Sequence, residues 1–395
     1  MASVDWHLED GALIFTLSGR IDSANAGEVE ERINQGRQEV PADRIVLDCD
    51  HLEYTSSVGL RIILRIRKSG TPLQMVNVHP DLYEILETTG FTEFLDIRKA
   101  YRVISVDGCE VVGEGANGKV YRIDRDTIVK VYLNPESLGD IQRERELARW
   151  AFVAGIPTAI PYDVVRIESG GYGSVFELLN AASLARMLAR GEITLEETAV
   201  ICVDLLRIIH AQEVEPGTMP DMRTTALRWV EDLREHLPGN VWARLHQLVS
   251  AVPEDHHLMH GDFHIRNVML QDGEALLIDM DTLCYGHPVF ELASTYNAYC
   301  GYGIVNHDLV KSFMGIEFET ARRLWYRILE LYLDTEEGSD RFASVEIKAK
   351  IIGFTRVMRR TIRRNGQNTE SGQALIRRCG EILSDLVFRV DSLIF

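Results

Sequence analysis

His260, Asp262, Asn267 and Asp279 are of the types, and at the spacing, that suit the movement of a phosphoryl group. The stretch His260-Gly-Asp-Phe-His-Ile-Arg-Asn267 reads H-x-D-x-x-x-x-N, and ten residues on comes Leu277-Ile-Asp279-Met-Asp281, closing the apolar run Ala275-Leu-Leu-Ile278. In phosphoryl transfer from a nucleotide, one carboxylate accepts the acceptor hydroxyl's proton. An amide five residues later holds a metal, and a second carboxylate holds the metal ions that bridge the phosphates. Little covalent chemistry falls to the protein in such a step. A few groups at fixed offsets therefore suffice, through positioning and electrostatics.

These groups need a grip on the nucleotide upstream of them. The segment Glu110-Val-Val-Gly113-Glu-Gly115-Ala-Asn-Gly118-Lys-Val120 is G-x-G-x-x-G-x-V between two predicted strands. A dinucleotide-binding turn with the same glycines would sit in a ~30-residue βαβ unit with an acidic strand end about 20 residues on, and neither follows. Instead, Asp124-Arg-Asp126 turns the chain into the strand Thr127-Ile-Val-Lys130-Val-Tyr. Lys130 thus stands where a lysine grips nucleotide phosphates; the plainer alternative is a glycine hairpin with a surface lysine. A helix over 140–150 carries Glu144 and Glu146, one of which should pair with Lys130 and orient it. The strand 173–180, with Glu177 and Leu179, lies where a hinge would meet the adenine through backbone groups. Apolar helices are expected over 199–211, 224–236 and 241–251.

Two other clusters have rival readings. His256, His257, His260 and His264 are spaced closely enough to share a metal, but the acid of an H-E-x-x-H zinc site is absent. His260 is read as organising the loop and the other three as ordinary polar residues. Arg356, Arg360 and Arg363 share one helix face. A solvated face is the ordinary reading, and an anionic acceptor or phosphorylated segment the alternative.

The chain has 395 residues, enough for two domains with separate cores. Its formal charge of −18 argues against a nucleic-acid partner, which needs a basic surface. No apolar run approaches the ~18 residues of a membrane span, and the first residues lack a signal-peptide pattern. Six scattered cysteines with no C-x-x-C pair read as reduced thiols, which with the missing signal places the expectation in the cytoplasm.

Residues 1–103 alternate strands (12–17, 44–48, 73–78) with helices (26–36, 58–68, 81–88), the pattern of a small α/β domain with a mixed sheet. Gly19-Arg-Ile-Asp-Ser-Ala-Asn25, Leu47-Asp-Cys-Asp-His-Leu-Glu-Tyr-Thr-Ser-Ser-Val-Gly-Leu60 and Glu84-Ile-Leu-Glu-Thr-Thr-Gly90 resemble the STAS domain of anti-sigma factor antagonists. The resemblance implies a protein partner of the anti-sigma factor kind. It also implies a phosphorylated serine at the position of Ser57, with Ser56 standing where many members have Asp. Local sequence alone also admits one of these serines as a helix N-cap.

Within a second domain of about 104–395, His260-Gly-Asp-Phe-His-x-x-Asn, then Leu-Ile-Asp-x-Asp, then Gly286-His-Pro-Val-Phe-Glu291-Leu-Ala resemble the aminoglycoside phosphotransferase/choline kinase-like family, the resemblance covering roughly 110–300. The resemblance implies an α+β protein-kinase-like fold, with a small β-rich lobe over about 104–178 and a large helical lobe over about 179–395. It implies ATP and Mg²⁺ as cofactors, Asp262 as catalytic base, and Asn267 and Asp279 as metal ligands. Lys130 and the Gly113–Gly118 loop, with Val120, would then lie on the nucleotide. Among the two glutamates, Arg143-Glu144 ahead of Leu147-Ala-Arg-Trp150 resembles the related kinases and favours Glu144. Gly261 and Asp281 depart from protein kinases toward small-molecule kinases, so the implied acceptor is a hydroxylated molecule of the aminoglycoside or amino-alcohol type. Fusion to a STAS domain offers an alternative, a signalling module that phosphorylates a protein serine, Ser57 of its own chain among them.

Overall fold

The computed structural model describes residues 2–114, 118–134 and 138–395. The chain divides into two compact units, Met1–Ser105 with Val165–Gly170, and Val106–Val164 with Gly171–Phe395.

The first unit is a five-stranded mixed sheet with helices. Strands β1 (Ser3–Glu9), β2 (Ala12–Ile21), β3 (Arg44–Thr55), β4 (Leu73–Val78) and β5 (Asp96–Lys99) lie in that order. β1 and β2 are antiparallel across the Asp10-Gly11 turn, where both residues take the positive φ that such a turn needs. The remaining pairs are parallel, linked through α1 (Ala26–Glu39), α2 (Ser57–Lys68) and α3 (Pro80–Thr88). Leu13, Phe15 and Leu17 alternate inward from β2 into one core shared with Val29 and Ile33 of α1, Leu60 and Ile63 of α2, and Leu82 and Leu86 of α3. Each such side chain contributes about 2 kcal/mol when fully buried. β1 was not predicted: it is an edge strand whose side chains are mostly exposed, so it carries little apolar pattern. β3 extends past the predicted 44–48 because Cys49, Leu52 and Thr55 keep contact with the core across polar interruptions. A short β6 (Val103–Ile104) pairs in parallel with Arg166 and Ile167.

In the second unit, β7 (Glu110–Glu114), β8 (Gly118–Arg122) and β9 (Thr127–Tyr132) form an antiparallel meander, followed by α4 (Leu138–Val153) and the start of β10 (Pro161–Ile167), whose residues from Val165 on are grouped with the first unit. β11 (Tyr172–Glu177) pairs antiparallel with β9. Then come β12 (Ala182–Ser183), α5 (Leu184–Arg190), α6 (Leu195–His210), α7 (Met222–Asp232) and α8 (Gly239–Ser250). The catalytic-type stretch lies between β13 (Leu258–Met259) and the hairpin β14 (Val268–Gln271) and β15 (Glu274–Leu277). After β16 (Cys284–Tyr285) the chain is helical: α9 (Val289–Tyr299), α10 (Asp308–Met314), α11 (Phe318–Leu333), α12 (Asp340–Arg363) and α13 (Glu370–Leu386). This is a sheet-rich small lobe and a helical large lobe, a protein-kinase-like arrangement.

Two features of this unit fix the site. All eleven residues of α9 are buried, so it is a central post that α11 and α12 pack around. The loop after α4 is tied to β15: the Leu277 N–H donates to the Pro157 carbonyl at 2.8 Å, and the Thr158 hydroxyl to the Leu277 carbonyl at 2.8 Å. Asp279 therefore leaves β15 from an anchored strand.

Candidate active site

Lys130 projects from β9 between two carboxylates. Its Nζ lies 2.8 Å from Glu144 Oε1 and 2.7 Å from Asp279 Oδ1. Glu144, on α4, is only 3 % exposed, and its other oxygen accepts a hydrogen bond from the Tyr132 hydroxyl. Glu146, two residues on, is exposed. Burial pulls the Lys130 pKa down, but Glu144 and then Asp279 pull it up more strongly, so the ammonium stays charged. Val120 faces Lys130 across the β8–β9 ladder, and Gly113 faces Val120. A Cβ on Gly118 would fall 2.1 Å from the Val131 carbonyl oxygen, so the strand closes only with glycine there. Gly115 lies outside the described residues.

The stretch around Asp262 is held through its backbone. Gly261 has φ +78°, and a Cβ on it would meet the Thr282 carbonyl oxygen at 2.4 Å; the arginine of protein kinases has no room there. Buried Glu291 on α9 accepts the N–H groups of His260 and Gly261. Ser294 Oγ and Arg356 Nη1, from α9 and α12, both donate to the Gly261 carbonyl at 2.9 Å. The buried His260 ring places Nε2 3.2 Å from the Ile278 carbonyl and Nδ1 3.4 Å from the Asp262 N–H. That pairing calls for a neutral imidazole with its proton on Nε2. Burial, its largest influence, lowers the His260 pKa and favours the same form.

Asp262 and Asn267 are joined inside this loop. Asn267 Nδ2 donates to the Asp262 carbonyl at 3.2 Å, which leaves its Oδ1 as an acceptor or ligand atom. Burial raises the Asp262 pKa, but His264 and then Arg356 outweigh it and hold the carboxyl well below the usual range. His264, expected to be an ordinary polar residue, is buried against Phe313 with Nε2 3.6 Å from Asp262 Oδ2. Spacing alone could not separate a buried partner from a surface histidine. An ionised Asp262 can accept a hydrogen bond from a hydroxyl and take its proton late, as a new O–P bond forms.

Asp279 sits in the left-handed region at φ 65°, which turns its carboxylate off β15 toward Lys130. Burial, and next the charge of Asp279, push the Asp281 pKa up to about 7. Asp279 and the neighbouring Asp281, with the Asn267 amide oxygen that has no hydrogen-bond donor among the described residues, form a set of hard oxygen donors that fits Mg²⁺. Among the described residues no three His, Cys, Asp or Glu side chains gather as a metal group. A Mg²⁺ shell is commonly completed by one or two carboxylates, waters and substrate phosphates. The histidine cluster does not converge: His256 pairs with Glu254, His257 with Asp255, and His264 faces Asp262.

At the predicted hinge, the Glu177 N–H donates to the Ile160 carbonyl at 3.0 Å. The Leu178 N–H donates to Asp126 and the Asn180 N–H to Gln271 Oε1, so Leu179 is carried between two anchored residues. Sequence reading missed the supports of the loop. Ser294 has no motif, and Arg356, on a face read as ordinarily solvated, is half-buried against Gly261.

The model of the phosphotransferase enzyme family matches residues 108–308. The chain belongs to that family. The STAS domain model matches residues 4–103, so this phosphotransferase carries an N-terminal STAS domain. That region is 33% identical over 96 residues to a putative anti-sigma factor antagonist BtrV of Bordetella bronchiseptica, covering 22% of this chain and 78% of the relative. It is 28% identical over 91 residues to an anti-sigma F factor antagonist of Paenibacillus polymyxa, with the same two shares. A thermostable aminoglycoside phosphotransferase APH(4)-Ia, solved with ADP and hygromycin B, superposes with a TM-score of 0.51 at 13% identity, covering 78% of this chain and 98% of that one. At that identity the likeness is one of fold. In the STAS domain, Ser57 is the exposed first residue of α2, and Ser56, at the N-cap position, makes no side-chain capping bond.

Proposed function

We propose that this phosphotransferase uses Mg²⁺ and ATP to phosphorylate a hydroxyl on a small molecule. The observation that carries the reading is Lys130, charged and shared between Glu144 and Asp279. Lys130 binds the phosphates and Glu144 holds it in place. Asp279 and Asn267, with Asp281 beside them, would hold Mg²⁺, which when bound neutralises charge on the phosphate oxygens. Asp262 orients the acceptor hydroxyl. The hydroxyl oxygen bonds to the γ-phosphorus as the bond to the β–γ bridging oxygen breaks; ADP leaves and Asp262 takes the proton. A fluorescent ADP titration with Mg²⁺ tests this. Wild type and Asp262→Asn should bind alike, and Lys130→Ala about tenfold more weakly. Equal binding by Lys130→Ala would remove the basis of the assignment.

For the STAS domain we propose a partner-binding role, toward a protein of the anti-sigma factor kind, switched by phosphate on Ser57. Its support is the exposure of Ser57 at a helix start, where a dianion gains from free N–H groups and the dipole. Mass spectrometry after incubation with Mg²⁺ and ATP checks whether the chain modifies itself. Phosphate found on Ser57 in wild type and absent from Asp262→Asn would support self-modification; an unmodified wild type would reject it.

A further inference from the structure

We propose that the acceptor is an anion: a small alcohol bearing a carboxylate or phosphate, bound by Arg356 and Arg360 beside Asp262. This rests on the phosphotransferase reading above and goes against the cationic acceptors that the family resemblance implies. Arg356 spends Nη1 on the Gly261 carbonyl at 2.9 Å and Ser294 Oγ at 2.7 Å. Its Nε and Nη2, the edge that grips a carboxylate or phosphate with two parallel bonds, have no acceptor among the described residues. Arg356 is half-buried rather than enclosed. The Nη1 contact with Gly261 places the Arg356 guanidinium one residue from Asp262, whose pKa its charge lowers.

One turn on, about 6 Å along the helix, Arg360 is exposed and bonded only to the Tyr302 hydroxyl at 2.7 Å among the described residues. No carboxylate lies within ion-pair distance of Arg356 or Arg360 among those residues. The Arg356 charge acts on Asp262 and the buried Glu291 through space. Asp232, at the same helix, is taken by Arg359 at 2.6 Å and Arg363 at 3.5 Å. In a chain of net charge −18, guanidinium groups without acid partners beside the catalytic carboxylate are a poor site for a polycation. They suit an oxyanion, whose hydroxyl would then reach Asp262. Transfer proceeds as above: the acceptor oxygen bonds to the γ-phosphorus, ADP leaves, and Asp262 receives the proton.

The test titrates the full chain, saturated with Mg²⁺ and AMP-PNP, with glycerate, glycerol 3-phosphate, glycerol and choline, reading calorimetric Kd and Tm. One or both anions should bind in the millimolar range, and which one binds separates a carboxylate from a phosphate acceptor. Glycerol and choline should bind about tenfold more weakly or not at all. Arg356→Lys keeps the charge but loses the fork, and Arg360→Gln leaves the loop support alone. Each should weaken anion binding about tenfold. Arg341→Gln, about 22 Å away along α12, changes the net charge equally and should have no effect. Tighter binding of choline than of either anion overturns the proposal, as does anion binding unmoved by both active-site variants, or no anion binding by protein that holds AMP-PNP. Failure to hold AMP-PNP would strike the phosphotransferase reading itself.

Discussion

The two sides of the active site are built differently. On the small-lobe side, the groups expected to meet the phosphates support one another: Glu144 holds Lys130, and Lys130 reaches Asp279. Around Asp262 the labour is divided. Asp262 and Asn267 are the groups proposed to face the chemistry, while Glu291, Ser294 and Arg356 hold the peptide groups of His260 and Gly261 from α9 and α12. A substitution on the first side should therefore damage binding and stability together. On the second side the two effects should separate according to which residue is changed.

Asp262→Asn gives the largest expected effect and the cleanest separation. Removing the proton acceptor should cost about 10³-fold in turnover. Nucleotide affinity and thermal midpoint should stay near wild type, because the loop is held by its backbone. A Kd for Mg²⁺–ADP that rises in parallel with the lost turnover would break the proposed division. On the other side, Glu144→Ala leaves a charged, mostly buried Lys130 with one partner and strips the Tyr132 hydroxyl of its acceptor. Losing a partner of this kind costs about 3 kcal/mol. Urea denaturation should show that loss, together with about tenfold weaker nucleotide binding.

The carboxylate pair sharpens the comparison through pH. Asp281 has its pKa raised to about 7, by burial first and then by Asp279. A carboxyl raised on folding contributes stability that is fully present below the unfolded value of about 4 and is lost as pH rises through the folded value. Without Mg²⁺, wild type should thus lose stability between pH 4 and pH 8 relative to Asp281→Asn. Added Mg²⁺ should restore more at pH 8 than at pH 5, since it binds the ionised pair. Urea midpoints at both pH values, with and without Mg²⁺, read the effect; a flat difference between the two proteins would separate Asp281 from the metal.

What could be read from sequence follows the same division. Lys130, Asp262, Asn267 and Asp279 are set by short offsets, because the phosphoryl group fixes the positions of few atoms. β8 and β9 were legible as strands for a similar reason: the glycine turn and the apolar run Thr127–Tyr132 are local signals. The supports were not legible. Arg356 reaches Gly261 across 95 positions of sequence, and its meaning depends on how α9 and α12 pack. A helical arginine bonded to a buried carbonyl and one lying in solvent have the same spacing. His264 shows the same limit, since it is buried with its ring against Phe313 on α10, a contact that spacing does not reveal. The edge strand β1 was missed because it is held chiefly by backbone pairing, which leaves no side-chain pattern.

Ser294→Ala carries the smallest expected effect and probes the loop support most finely. The Ser294 hydroxyl donates to the Gly261 carbonyl and accepts from Arg356, and its own hydrogen bond is worth about 1 kcal/mol. Alanine fits the same helix position and leaves Arg356 Nη1 on the carbonyl, so Gly261 keeps one of its two donors. The loop should stay formed but loosen, with turnover falling about threefold to tenfold, because small displacements of a positioned group are costly. Nucleotide affinity should not move, since no contact of Ser294 reaches Lys130, Glu144 or Asp279 among the described residues. Steady-state turnover beside an ADP titration makes the comparison. A turnover equal to wild type would mean that Arg356 alone holds Gly261, and the double variant Ser294→Ala with Arg356→Lys would then show the loss that the single variant hides.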